Sequence, residues 1–185
     1  MLSELINAIK DDRDFKRNIT HWETIPAKDG NYSDFPEEAV PVLKEIYANR
    51  GIDKLYSHQR ESWDHIKNGK NTVVVTPTAS GKTLCYNLPV LDHLLQNPEA
   101  RALYLFPTKA LSQDQQSELN EVIESAALPV KTVTYDGDTP ASIRVAARDG
   151  GRIVITNPDM LHTGILPNHP KWIKFLSNIK YIVID

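Results

Sequence analysis

"TPTASGKT", Thr76 to Thr83, decides the fold. It follows the β-branched run "NTVVVT" (71–76) and leads into a helical pattern that starts near Gly81. A triphosphate needs backbone N–H groups that point inward with no side chains in the way. Ala79, Ser80 and Gly81 meet that need, with Thr78 beside them, and a helix N-terminus adds its dipole. Lys82 can reach the β and γ phosphates, and the Thr83 hydroxyl can ligate Mg²⁺. Thr76 stands where the consensus phosphate loop has its first Gly, so the strand–loop–helix context carries the reading.

Outward from that loop, short apolar runs alternate with helical patterns. The further runs are "RALYLF" (101–106), "VKTVTY" (130–135), "RIVIT" (152–156) and "YIVID" (181–185). Helices are expected to begin near Gly81, Ala110, Pro140, Pro158 and His169. Strands that are apolar throughout and separated by helices predict an α/β fold, a mostly parallel sheet with helices on both faces. In such sheets ligands bind beyond the carboxyl ends of the strands. "YIVID" ends in Asp185, and a second strand ending in an acid holds the magnesium shell in phosphate-loop NTPases. The pair Thr83 and Asp185 is therefore the expected Mg²⁺ site.

The N-terminal region has a different character. Leu2 to about Lys16 carries apolar residues at helical spacing, at Leu2, Leu5, Ile6 and Ile9. "NITHWETIPAKDGNYSDFP" (18–36) is rich in turn formers and reads as a loop. A second helical pattern runs from Pro36 through Tyr47 and stops at Gly51. "SHQRESWDHIKNGK" reads as a helix capped by Ser57 and ended near Gly69. The division expected is a helical N-terminal extension over 1–54 and a nucleotide-binding domain over 55–185.

Composition excludes several classes. The 185 residues are enough for one domain with a real core, and 41% hydrophobic with 24% charged residues is ordinary for a globular chain. No apolar stretch approaches the roughly 18 residues of a membrane span, so no membrane partner is expected. Cys85 is the single cysteine, which leaves no internal disulfide and suits a reducing, cytoplasmic compartment. The net charge of −3, from 21 basic and 24 acidic residues, weighs against a broad cationic binding surface. His58 and His162 lack metal-ligand spacing, so no zinc is expected in this segment.

These residues together resemble the superfamily 2 helicases of the DEAD/DEAH type. "TPTASGKT" resembles motif I, and "YLFPTKALSQDQ" (104–115) resembles motif Ia. "YDGDTP" (135–140) resembles the glycine-containing strand-end motif after it, and "IVITNPDMLH" (153–162) resembles motif Ib. "YIVID" is similar to the start of motif II, and Gln59 in "LYSHQ" resembles the upstream Q motif. More narrowly, "GIDKLYSHQ", "TPTASGKTLCYNLPVL" and "TNPDMLH" resemble the MrfA-type DNA helicases, which are related to a RecQ-four-like group.

The resemblance implies a RecA-like P-loop NTPase domain cut at motif II, from a bacterial ATP-dependent 3′-to-5′ DNA helicase linked to repair. It implies ATP and Mg²⁺ as cofactors, and single-stranded or tailed DNA as partner, with RNA the alternative. A second RecA-like domain and a zinc domain of the same chain would follow. Catalytic roles fall on Lys82, Thr83 and Asp185. Nucleotide contacts fall on Thr78 to Thr83, and on Tyr56 and Gln59 for the base. A glutamine amide matches the N6 and N7 edge of adenine, and Tyr56 can stack. Nucleic-acid contacts fall on Pro107, Thr108, Lys109, Gly137, Asp138, Thr156 and Asn157, at helix N-termini and strand ends. "TNPD" lacks the arginine common at motif Ib of RNA-type relatives, so no arginine contact carries over.

A P-loop phosphotransferase would share "GKT" and the acid but has no use for Gln59 or "PTKAL". A regulatory module with a structural phosphate loop would bind nucleotide without magnesium dependence, or not at all. The segment lacks the acid expected after Asp185, so binding without efficient hydrolysis is expected of it.

Overall fold

The computed structural model describes residues 2–26 and 29–185. Ala27 and Lys28, inside the loop expected over 18–36, lie outside the described residues. The chain divides into two compact units, Met1–Gly30 and Asn31–Asp185.

In the first unit, α1 (Leu2–Asp11) and α2 (Arg13–Asn18) replace the single helix expected over 2–16. Asp12 breaks it, because its carboxylate accepts hydrogen bonds from the backbone of Asp14 (2.8 Å) and Phe15 (3.1 Å) and caps α2. Neither helix buries a residue.

The second unit holds the sheet. Its four strands are β3 (Arg101–Leu105), β4 (Thr132–Thr134), β5 (Ile153–Thr156) and β6 (Ile179–Ile184), in the order β4-β5-β3-β6. All three pairings are parallel, with Leu103 opposite both Val154 and Ile182. Alternation along β3 feeds two cores. Ala102 and Tyr104 face a cluster that includes Leu43, Trp63, Leu88, Leu91 and Val122. Leu103 and Leu105 face the opposite cluster, with Val154, Ala147, Trp172 and Phe175. The helices are α3 (Pro41–Asn49), α4 (Ser57–Lys67), α5 (Lys82–Gln96) and α6 (Lys109–Ser125), then α7 (Ala141–Gly150), α8 (Pro158–Met160) and α9 (His169–Leu176). The first cluster gathers α3 to α6, and the second gathers α7 and α9. Burial of both faces makes β3 and β5 apolar at nearly every position.

Three expectations need correction. First, 71–76 forms no strand: Val73 and Val75 are 88% and 89% exposed, and no neighbour pairs with the segment. β-branched residues favour extension, but a strand persists only where its N–H and C=O groups find a ladder. A cleft of about 460 Å³ lies between this segment and the free edge of β6, lined by Val73, Val74 and Tyr181 to Asp185. Second, the helix expected from Pro36 begins at Pro41, the residue that enters its first turn as proline prefers. Third, the boundary expected at 54/55 moves to 30/31. Phe35, Leu43, Ile46, Tyr47 and Leu55 are all buried in the first cluster, and β1 (Tyr32–Ser33) pairs antiparallel with β2 (Leu55–Tyr56). A buried Asp92 fastens this N-terminal part: it accepts from the Val40 backbone (2.8 Å), Lys67 Nζ (2.9 Å) and Gln96 Nε2 (2.8 Å).

Candidate functional site

Because the sheet is parallel, the segments after its strands meet along one edge. After β3 come Pro107, Thr108 and Lys109; after β4, Tyr135 to Thr139; after β5, Asn157; after β6, Asp185. The phosphate loop joins them where α5 begins.

That loop is held by its own polar groups. Gly81 has φ +74° and Ala79 φ +60°, so two left-handed residues turn the chain into α5. For Ala79 that conformation costs about 1–2 kcal/mol, a strain the surrounding bonds must outweigh. Thr76, the residue off consensus, bonds its hydroxyl to the Ser80 hydroxyl at 2.6 Å and staples the loop across its mouth. Lys82 Nζ donates to the carbonyls of Thr76 and Pro77, both at 3.0 Å. In this state the lysine neutralises the carbonyl lining of its own loop. A phosphate would offer it charged acceptors instead, and charge-assisted bonds are the stronger ones.

The first turn of α4 grips the loop from outside. Gln59, buried, donates from Nε2 to the Gly81 carbonyl (2.9 Å) and accepts the Tyr56 backbone N–H at Oε1 (2.8 Å). The start of α4 is therefore capped by Gln59 reaching back, not by Ser57, which is the first helical residue. A glutamine amide has two N–H bonds and two lone pairs, so one of each remains for an adenine edge. His58 Nε2 lies 3.0 Å from the Ser80 carbonyl. Tyr56 is already stacked, with Tyr32 at 5.0 Å and with His58 at 5.6 Å, so a base reaching it meets an aromatic ladder. Tyr56, Gln59, Ala79, Gly81 and Thr83 line one cleft of about 440 Å³ with Arg50 and Lys54. Sequence reasoning missed His58, Arg50 and Lys54, because nothing local in the chain marks them.

On the magnesium side, the Asp185 N–H donates to the Leu105 carbonyl (3.1 Å), which extends the β6 ladder and fixes the acid's backbone beside β3. Its carboxylate lies 3.4 Å from the Tyr86 hydroxyl. Among the described residues no three His, Cys, Asp or Glu side chains gather into a cage. One hydroxyl and one carboxylate suit a hard cation that keeps waters and phosphate oxygens as its other ligands, the habit of Mg²⁺. The residues present thus fit that ion.

At the expected nucleic-acid positions the outcomes differ. Pro107, Thr108 and Lys109 are exposed, and Thr108 caps α6 by accepting the Leu111 N–H (3.2 Å). Asn157 caps α8 through the Met160 N–H (2.8 Å). Gly137 has open space where a Cβ would sit, so the fold does not require glycine there and a ligand has room to approach. Thr156 is corrected: it is 1% exposed and its hydroxyl donates to the Tyr135 carbonyl (2.7 Å), so its side chain ties β5 to β4. Asp138 is corrected as well. Its carboxylate forms an ion pair with Lys109, joined by Asp136 at 3.6 Å, and an anionic group of this kind holds the lysine rather than a phosphate. Trp63 and Cys85 are buried packing residues.

The DEAD/DEAH box helicase family matches residues 56–185. The chain belongs to that family. Along its whole length the chain is 50% identical to the ATP-dependent helicase YprA of Bacillus subtilis, and it is 37% identical to the ATP-dependent helicase HRQ1 of Saccharomyces cerevisiae. It spans 24% and 17% of those relatives. A crystal structure of the DUF1998 helicase MrfA bound to DNA and AMPPNP superposes with a TM-score of 0.89 at 50% identity, over 99% of this chain and 25% of that one. The Mycobacterium smegmatis helicase Lhr bound to ssDNA and AMP-PNP gives 0.65 at 26% identity, over 83% of this chain and 21% of that one. The RecA-like fold expected from the motifs is therefore shown.

Proposed function

We propose that this chain is the nucleotide-binding part of an ATP-driven 3′-to-5′ DNA helicase or translocase serving DNA repair in the cytoplasm of a bacterium. One observation carries the reading: Lys82 and Thr83 open α5, Asp185 directly follows β6, and Gln59 is bonded to Gly81 at the end of the phosphate loop. The structure of the DUF1998 helicase MrfA bound to DNA and AMPPNP supports the same ligands here.

In this reading Lys82 leaves the Thr76 and Pro77 carbonyls to meet the β and γ phosphates. The backbone of Thr78 to Gly81 cradles them, and Gln59 reads adenine with its remaining donor and acceptor. Thr83 and Asp185 would hold Mg²⁺, which supplies charge neutralisation at the phosphates when bound. Thr108, Lys109 and Asn157 present helix N-termini and one ammonium to a DNA backbone. Nucleotide binding is the activity these residues are expected to supply.

The test is a thermal-shift titration with ATP, GTP and Mg²⁺, on the wild type and on Lys82→Ala. ATP should stabilise the wild type and leave the variant unmoved. Equal stabilisation of both would overturn the nucleotide reading. For DNA against RNA, matched single strands are titrated over a salt series, and tighter binding of RNA would select the RNA alternative.

A further inference from the structure

We propose that Tyr86 is a positioning residue that ties the magnesium carboxylate Asp185 to α6 through Gln115. The inference rests on the nucleotide-site reading and deepens it. Tyr86 sits one helical turn beyond Thr83, so both side chains leave the same side of α5. Its hydroxyl lies 3.0 Å from Gln115 Oε1 and 3.4 Å from Asp185 Oδ2. Three elements thus meet at one oxygen: the helix opened by Lys82 and Thr83, the strand ended by Asp185, and the helix opened by Thr108 and Lys109.

The ring is placed firmly. It packs edge-on against Tyr104 at 5.6 Å, and Tyr104, fully buried, bonds Asn87 at 2.9 Å. A phenol is both a donor and an acceptor, so the Tyr86 hydroxyl can take one bond and give another. One proton serves one acceptor at a time. The oxygen and nitrogen of a glutamine amide are interchangeable assignments. With its NH₂ turned to Tyr86, Gln115 donates to the phenol and the phenol donates to Asp185, giving one polarised chain with no conflict. That chain fixes the carboxylate's rotamer before magnesium arrives. It also links the rotamer to α6, whose first turn carries the candidate phosphate contacts about two turns from Gln115.

Tyr86→Phe removes the oxygen and keeps the ring. The measurement is the Mg²⁺ concentration giving half-maximal ATP stabilisation of this 185-residue chain, with magnesium-free ATP affinity and the unliganded thermal midpoint as companions. The expected result is about a tenfold rise in the Mg²⁺ requirement, the worth of one hydrogen bond to a charged group. Magnesium-free affinity should move less than twofold. An unchanged Mg²⁺ requirement overturns the proposal. Should Tyr86→Phe lower the unliganded midpoint, Gln115→Leu on the half-exposed face of α6 gives the second reading. It should raise the requirement about threefold, and the double variant should match Tyr86→Phe alone. Additive effects overturn the chain of contacts. A wild type that binds no ATP overturns the nucleotide reading itself, an outcome distinct from the others.

Discussion

Gln59 and Gly81 are fitted to each other: a Cβ on Gly81 would sit 2.6 Å from Gln59 Nε2, and the Gly81 carbonyl takes that nitrogen's proton at 2.9 Å. The glycine is required twice over, by this approach and by its φ of +74°. The glutamine joins the start of α4 to the end of the phosphate loop. Gln59→Ala should therefore do two things. It should free a part-buried carbonyl and the Tyr56 N–H, costing about 1–3 kcal/mol of stability. It should also weaken ATP more than GTP, because only adenine loses its partner. Calorimetric titration with both nucleotides checks this; equal losses would leave Gln59 a strut with no part in base choice.

A second prediction concerns the buried Asp92. Its three partners come from α4, α5 and the Val40 backbone just before α3, so one carboxylate holds three segments. Asp92→Ala leaves the Lys67 ammonium without its carboxylate. Breaking a buried pair from one side costs about 3–5 kcal/mol, and the 29% exposure of Lys67 places this case at the low end. Urea unfolding should show a midpoint shift with an unchanged slope. Replacing both partners, Asp92→Ala with Lys67→Met, removes both charges and should cost less than Asp92→Ala alone, whereas Lys67→Met alone strands the fully buried carboxylate.

Glu38 supplies a pH dependence. Its carboxylate accepts the buried Trp63 indole N–H at 2.9 Å, and that bond first, then its own backbone N–H, holds it below the usual glutamate range. A depressed folded-state pKa means that the contribution is present above the unfolded value and lost as pH falls through the folded one. The thermal midpoint of the wild type should therefore exceed that of Glu38→Gln at pH 7. The gap should close as pH drops below about 4, where an unfolded glutamate is already taking up its proton. Glu38 is exposed, so the gap is small; a difference that grew with acidity would contradict the assignment.

The motifs made the edge of the sheet legible because each is a local geometry: strand, turn, helix start. Thr108 and Asn157 cap helices where the spacing placed them, and Asp185 ends a strand. What stayed hidden depends on contacts distant in sequence. "NTVVVT" has strand residues, yet a strand needs neighbours, and no residue inside 71–76 says whether it has them. His58 and Tyr86 look ordinary in the chain and acquire meaning only where Ser80, Gln115 and Asp185 come beside them. Thr156 shows the reverse. It sits at a motif position, but a residue completing a fully buried strand spends its hydroxyl internally.

The Lys109 ammonium, one of the candidate phosphate contacts, is held by Asp138 and Asp136. The hydrogen bond to Asp138 raises the lysine's pKa, and the lysine in turn lowers that of Asp138. Any phosphate must displace these carboxylates before it can use Lys109. Two variants should then move in opposite directions. Lys109→Ala should weaken single-stranded DNA and reduce the slope of log K against log salt by about 0.7, the share of one phosphate contact on a single strand. Asp138→Asn keeps the shape and removes the competing charge, so it should tighten DNA by a small factor, about threefold, because an exposed ion pair is weak. Fluorescence anisotropy over a salt series reads both effects. In the double variant the gain from Asp138→Asn should vanish, because the competition has lost its object. A gain that survived without Lys109 would mean that Asp138 acts only through general repulsion of the strand.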